Sequence, residues 1–110
     1  MTVDVLALPD AAEQLGVPVT RLHQYVRDGQ LVAIRTSAGV RGVPALFLQN
    51  GAIVKSLPAV ITVLRDARFD DDEIVEWLHR VDDTLPGAPI DALRANRGSE
   101  VKRRAQVAGY

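Results

Sequence analysis

The sequence predicts an α+β fold, mainly helical, and three observations carry that expectation. Two short amphipathic helices flank a Gly16-Val17-Pro18 corner within residues 8–28. Short β-rich segments separated by small-residue turns fill residues 31–55. From Leu57 onward apolar residues recur at helical spacing. A chain of 110 residues buries about two-thirds of its unfolded surface in one modest core and is too short for two independent ones. The expected organisation is therefore a module over residues 1–56 and a helical subdomain over 57–110 packed on it, together one compact domain.

Each N-terminal element has a local cause. Asp10 is expected to cap the first helix, with Glu13 three residues on completing the reciprocal box that satisfies two orphan backbone donors. Gly16 ends that helix, and Pro18 disfavours helical backbone at Val17. A second helix runs from Val19 to Asp28, and Gly29 stands where a left-handed terminator belongs. Leu31-Val32-Ala33-Ile34 is expected as a strand, and Thr36 to Gly42 as a flexible wing loop with Arg41 at its tip. Ala45-Leu46-Phe47-Leu48 is expected as a second strand, and Asn50-Gly51 favours a type I′ turn into a third at Ile53-Val54-Lys55. Helix, tight turn, helix, then a small β-hairpin wing is the order of a winged helix-turn-helix.

The remainder reads as appended C-terminal helices that would pack on the wing's sheet. Pro58 suits a first helical turn, and Leu57, Val60, Ile61 and Leu64 repeat on one face. Asp70 with Glu73 forms a second capping box, ahead of an expected buried stripe of Ile74, Val75, Trp77, Leu78 and Val81. Residues 84–89, with Pro86-Gly87 and Pro89, break the helix; two short helices follow at about 90–96 and 99–107.

The second helix decides what the module is for. At about 100° per residue, Val19, Leu22, Tyr25 and Val26 fall on one side; Thr20, Gln24 and Arg27 fall opposite, with Arg21 and His23 at the flanks. Arginine bonds guanine edges in bidentate fashion, glutamine does so to adenine, and threonine and histidine serve phosphate or base. Such a face is equipped for the major groove of double-stranded DNA, although any solvated helix also carries arginine and glutamine outward. Thr20, Arg21, Gln24 and Arg27 are the expected groove residues, His23 a backbone contact, and Arg35 and Arg41 the grips on flanking phosphates. For Arg41, a merely solvated loop charge is an equal alternative.

The corner Leu15-Gly16-Val17 and the helix end Arg27-Asp28-Gly29-Gln30-Leu31 resemble the N-terminal module of excisionase-like and MerR-like winged helix-turn-helix proteins. Residues 54–80 and 89–110 resemble the C-terminal half of a small actinobacterial family of winged-helix DNA-binding proteins, so the resemblance covers nearly the whole chain. It implies a DNA-binding, transcription-related protein whose contacts lie on the recognition helix and wing, and it implies no operator or effector.

Charge argues against this reading in total and for it in distribution. The net charge is −1, whereas DNA affinity rides on phosphate neutralisation. Residues 1–56 carry five cations against four anions, net +1, and residues 57–110 carry eight against ten, net −2. The N-terminal cations sit on the recognition helix and wing, which leaves room for a local positive face. The C-terminal helices offer a second reading, a protein-interaction module of antitoxin type docking a protein partner.

Other chemistry finds little footing. The chain has no cysteine, which excludes disulfides and thiolate metal sites. The run Asp70 to Glu73 is explained by a helix N-terminus, where carboxylates are favoured. Glu76 and His79 have the E-x-x-H spacing of di-iron bundles, but such sites need a second copy and only one exists. Lys102-Arg103-Arg104 reads as a solvated helix face, the alternative being a second phosphate clamp. No nucleophile elbow or phosphate loop appears. No enzyme activity, metal or cofactor is expected. Without a basic leader or a bilayer-length apolar run the protein is expected to be cytoplasmic and to have no membrane partner.

Overall fold

The structure, a computed structural model, describes residues 3–109; Met1, Thr2 and Tyr110, at the edges of the expected 1–56 and 57–110 ranges, lie outside them. It is α+β, a winged helix-turn-helix with two small sheets followed by helices. The elements run β1 (Val5–Ala7), α1 (Leu8–Leu15), α2 (Val19–Arg27), β2 (Ile34–Arg35), β3 (Arg41–Pro44), a 3₁₀ turn (Ala45–Phe47), β4 (Leu48–Gln49), β5 (Ala52–Ile53), α3 (Leu57–Asp66), α4 (Asp71–His79), α5 (Pro89–Arg94) and α6 (Gly98–Val107). One antiparallel sheet has the order β1-β3-β2, and β4 and β5 form a separate hairpin.

The first helix starts earlier than expected. Ala7 is its N-cap and Pro9 lies in the first turn, where a missing N–H costs nothing. Asp10 is therefore inside the helix and caps nothing; burial of Leu8 draws the start back. Gly16 closes the helix at φ 68°, and the Val17 N–H returns to the Ala12 carbonyl at 3.0 Å.

The strands also shift. Leu31, Val32 and Ala33 are consecutively buried, which an alternating strand face cannot do, so they enter the core as extended chain and pairing is confined to Ile34 and Arg35. The expected strand Ala45–Leu48 becomes a 3₁₀ turn that sends Phe47 fully inward and leaves Leu46 37% exposed. The central strand instead lies over Arg41–Pro44, and β1, which the sequence did not flag, pairs with it through Val5↔Pro44, Leu6↔Val43 and Ala7↔Gly42. The Asn50-Gly51 turn forms as expected, both residues at positive φ (54° and 75°) between the pairs Leu48↔Ile53 and Gln49↔Ala52. The third strand is Ala52–Ile53, one residue earlier than expected.

In the helical half, Leu57, Val60, Ile61 and Leu64 are buried as the periodicity required. The Asp70 box is present in both directions: the Glu73 N–H donates to Asp70 Oδ1 at 2.8 Å and the Asp70 N–H to Glu73 Oε1 at 3.0 Å. The stripe of α4 is narrower than expected. Ile74, Val75 and Leu78 are buried and Trp77 packs half-buried against the core, but Val81 is 73% exposed, because the helix stops at His79 and the chain turns away. The last two helices occupy Pro89–Arg94 and Gly98–Val107.

The side-chain hydrogen bonds joining the helices to the N-terminal half, among the described residues, run to the 3₁₀ turn and to β4. The Arg94 guanidinium donates from Nη1 to the Leu46 and Leu48 carbonyls at 2.9 and 2.7 Å, and Gln49 Nε2 donates to the Arg94 carbonyl at 3.4 Å. The Phe47 ring lies 5.8 Å from that of His79 on α4. A continuous cluster of buried side chains includes Leu8, Leu22, Val43 and Phe47 from one half and Ile61, Leu78, Ile90 and Val101 from the other.

The loop after α4 is latched by charge. Asp82 Oδ1 accepts from the Thr84 N–H (2.8 Å) and hydroxyl (2.6 Å), and Arg104 donates to Thr84 Oγ1 at 2.9 Å and lies 3.8 Å from Asp82. The Thr84 hydroxyl first, then its backbone N–H and the Arg104 charge, hold the Asp82 carboxyl below the ordinary aspartate value of 3.8. A depressed folded value means that the latch is fully present above pH 3.8 and is lost as pH falls through the depressed value. Thr84→Val should return the Asp82 titration, followed by carboxyl NMR shifts, towards its ordinary midpoint. The stability curves of variant and parent should converge in acid.

Candidate nucleic-acid interface

The α1–α2 corner is set by the left-handed Gly16 and by Pro18, which precedes α2 with extended backbone at ψ 153°. Leu22 is fully buried, Tyr25 and Val26 are partly buried against the core, and this anchorage fixes which way the helix faces. Thr20, Arg21, Gln24 and Arg27 are exposed and His23 is half-buried at the edge. Val19, expected on the apolar side, is 38% exposed at the first turn. Among the described residues, none of the five polar side chains of α2 has a hydrogen-bond or ion-pair partner within the fold.

The surroundings differ along the helix. Arg27, in the last turn, lines a cleft with Asp28 and with Thr62, Arg65, Asp66 and Asp71 of the C-terminal half, where Arg65 pairs with Asp71 at 3.0 Å. Arg27 therefore stands in a field of carboxylates, and Thr20, Arg21 and Gln24 lie nearer the helix N-terminus. Arg65 is a cation that the sequence analysis did not weigh. Its only signal was a place in the last turn of α3, where a cation is expected for the dipole alone.

The wing is the β2–β3 hairpin. Its turn is ordered by hydrogen bonds: the Thr36 N–H to the Val40 carbonyl at 2.9 Å, the Val40 N–H to Thr36 Oγ1 at 3.1 Å, and Arg35 Nη1 to the Gly39 carbonyl at 3.2 Å. These close the loop on residues 36–40, so the tip is formed by 37–39. Arg41 is consequently not at the tip but in β3, directly across from Arg35. Residues opposite one another share a sheet face, and both arginines are exposed. Two like charges in that register repel. The arrangement brings Arg35 and Arg41 together as a pair and leaves Val40, 46% exposed beside them, as an apolar wing residue that the sequence analysis passed over.

Elsewhere the candidate chemistry is occupied by the fold. Glu76 pairs with Arg80, and His79 Nδ1–H donates to the Val75 carbonyl at 2.7 Å, so the E-x-x-H pair serves its own helix. Among the described residues no group of three or more metal-ligating side chains occurs, and no helix is long and apolar enough to cross a membrane. Of the Lys102-Arg103-Arg104 run, Arg104 is drawn into the loop latch and Lys102 and Arg103 are exposed.

Comparison with known proteins matches both halves. Residues 1–48 fit the family model described as "DNA-binding protein Rv2175c, wHTH domain", and residues 54–109 that described as "Rv2175c C-terminal domain of unknown function". The DNA-binding protein Rv2175c of Mycobacterium tuberculosis (strain ATCC 25618 / H37Rv) is 41% identical over 115 residues, covering 94% of this chain and 79% of that protein. The NMR structure of Rv2175c superposes with a TM-score of 0.88 at 40% identity, covering 98% of this chain and 82% of that one.

Proposed function

The chain belongs to the Rv2175c family of winged helix-turn-helix DNA-binding proteins, and from that premise we propose that it regulates transcription by placing α2 in the major groove and the β2–β3 hairpin against the DNA backbone. The observation that carries the reading is the outer face of α2: polar side chains at 20, 21, 23, 24 and 27 that, among the described residues, make no hydrogen bond or ion pair within the fold. A helix reads bases from its N-terminal part, which favours Thr20, Arg21 and Gln24 as the residues entering the groove. His23 and Arg27 then grip the edges. The repulsion between Arg35 and Arg41 is relieved when a phosphate lies between them.

With a net charge of −1, binding by one protomer is expected to be weak and salt-sensitive. The test is selection of a site from a random duplex pool followed by anisotropy titrations. Gln24→Ala should cost about 1–3 kcal/mol on the selected site and relax preference at one base position. Arg41→Ala should weaken binding to all duplexes alike and lower the slope of affinity against salt by about one unit. A folded protein that selects no duplex would remove the proposal. An altered base preference in Arg41→Ala with an unchanged salt slope would make Arg41 a base reader.

A further inference from the structure

Trp77 is the one tryptophan of the chain; it packs against the core from α4 and is half-buried, so part of its ring reaches the surface. It lines clefts on both of its flanks, one continuing over Val81 and Pro89 and the other over Phe69 and Ala108. Val81, 73% exposed, extends this apolar surface into solvent. An aromatic ring bordered by an exposed branched residue is the composition of an interface centre rather than of an ordinary solvated face.

The rim of the surface is acidic. Glu73, Glu76, Asp82 and Asp83 border the two clefts. Arg80 also lines both clefts but is paired with Glu76, and Arg104 is paired with Asp82 and Glu100, so these charges offset one another and the excess at the rim is that of Glu73 and Asp83. Among the described residues Glu73 and Asp83 face no ion-pair partner. Such a rim repels a phosphate backbone, which excludes DNA as the occupant, and it attracts cations. We propose that this face docks a basic amphipathic segment of a protein partner, an apolar anchor seated against Trp77 and Val81 with lysines or arginines meeting the acidic rim. The assignment does not rest on the DNA-binding reading.

Trp77 reports its own occupancy, so the intact protein can be titrated with a synthetic amphipathic leucine-lysine peptide while the tryptophan emission is followed. A saturable change is expected, and it is reduced by salt. Val81→Lys, at a position too exposed to affect folding, should weaken it at least tenfold, and Asp83→Lys about tenfold; unchanged melting temperatures would certify both variants. The same peptide with glutamate in place of lysine should give no response. The proposal is overturned by the absence of a saturable change, by an equal response to the glutamate peptide, or by indifference to both substitutions. Concentration-dependent self-association abolished by Val81→Lys would overturn it in favour of a second copy of this chain as the occupant.

Discussion

Phe47→Ala should remove about 3–5 kcal/mol of stability, a large share of what a domain of this size possesses. The side chain is completely buried, and the turn that carries it admits no other inward residue, since Ala45 is small and Leu46 points to solvent. Phe47 comes from the N-terminal half and meets His79 of α4, so the cavity opens at the seam between the halves. Urea unfolding followed by Trp77 emission reports the helical half, and DNA anisotropy reports the winged half. Both should shift to lower denaturant together, with affinity per folded molecule unchanged. A Trp77 transition that stays in place while the DNA transition moves would show that the halves unfold separately.

Gly42→Ala should be comparably damaging, at about 3 kcal/mol or more, for a steric reason. A Cβ at this position would lie 2.0 Å from the Leu6 carbonyl oxygen and 2.8 Å from both the Leu6 carbonyl carbon and Val5 Cγ1, whereas real Cβ contacts are essentially never under 3.0 Å. The obstacle is backbone, which cannot rotate aside. β1 has to move off β3, and with it go the pairs at Val5, Leu6 and Ala7. Thermal melting measures the cost. Amide exchange at Leu6 and Val43 locates it, and unchanged protection there would mean that β1 is not seated as described.

What the sequence made legible follows from how local each signal is. The Asn50-Gly51 turn, the Asp70 box, the Gly16 terminator and the face of α2 are each decided within a few residues, and all four appear in the structure. The start of α1 and the strands were missed because tertiary burial decides them. Leu31 to Ala33 carry strand-like residues yet are claimed whole by the core, and β1 is a three-residue segment that becomes a strand only because β3 lies beside it. In the site, the outward set on α2 was readable from helical angles alone. The position of Arg41 was not, because it depends on where hydrogen bonds close the wing turn, and Val81 was read as core since periodicity cannot tell where α4 ends.

The facing arginines of the wing carry a consequence for how the free protein breathes. Ionic strength acts on Arg35 and Arg41 with opposite signs in the two states: added salt screens their mutual repulsion and tightens the empty hairpin, while it competes with the phosphates that would hold the bound one. The amides between residues 34 and 42 should therefore exchange faster in dilute buffer than at physiological salt, against the trend for affinity, and Arg41→Ala should flatten that dependence. A short polyanion too small to reach α2 should slow the same amides without conferring any sequence preference. With Arg35 and Arg41 as the proposed phosphate grips, rigidity of the wing and attraction to DNA would be separable quantities, tuned in opposite directions by one pair of side chains.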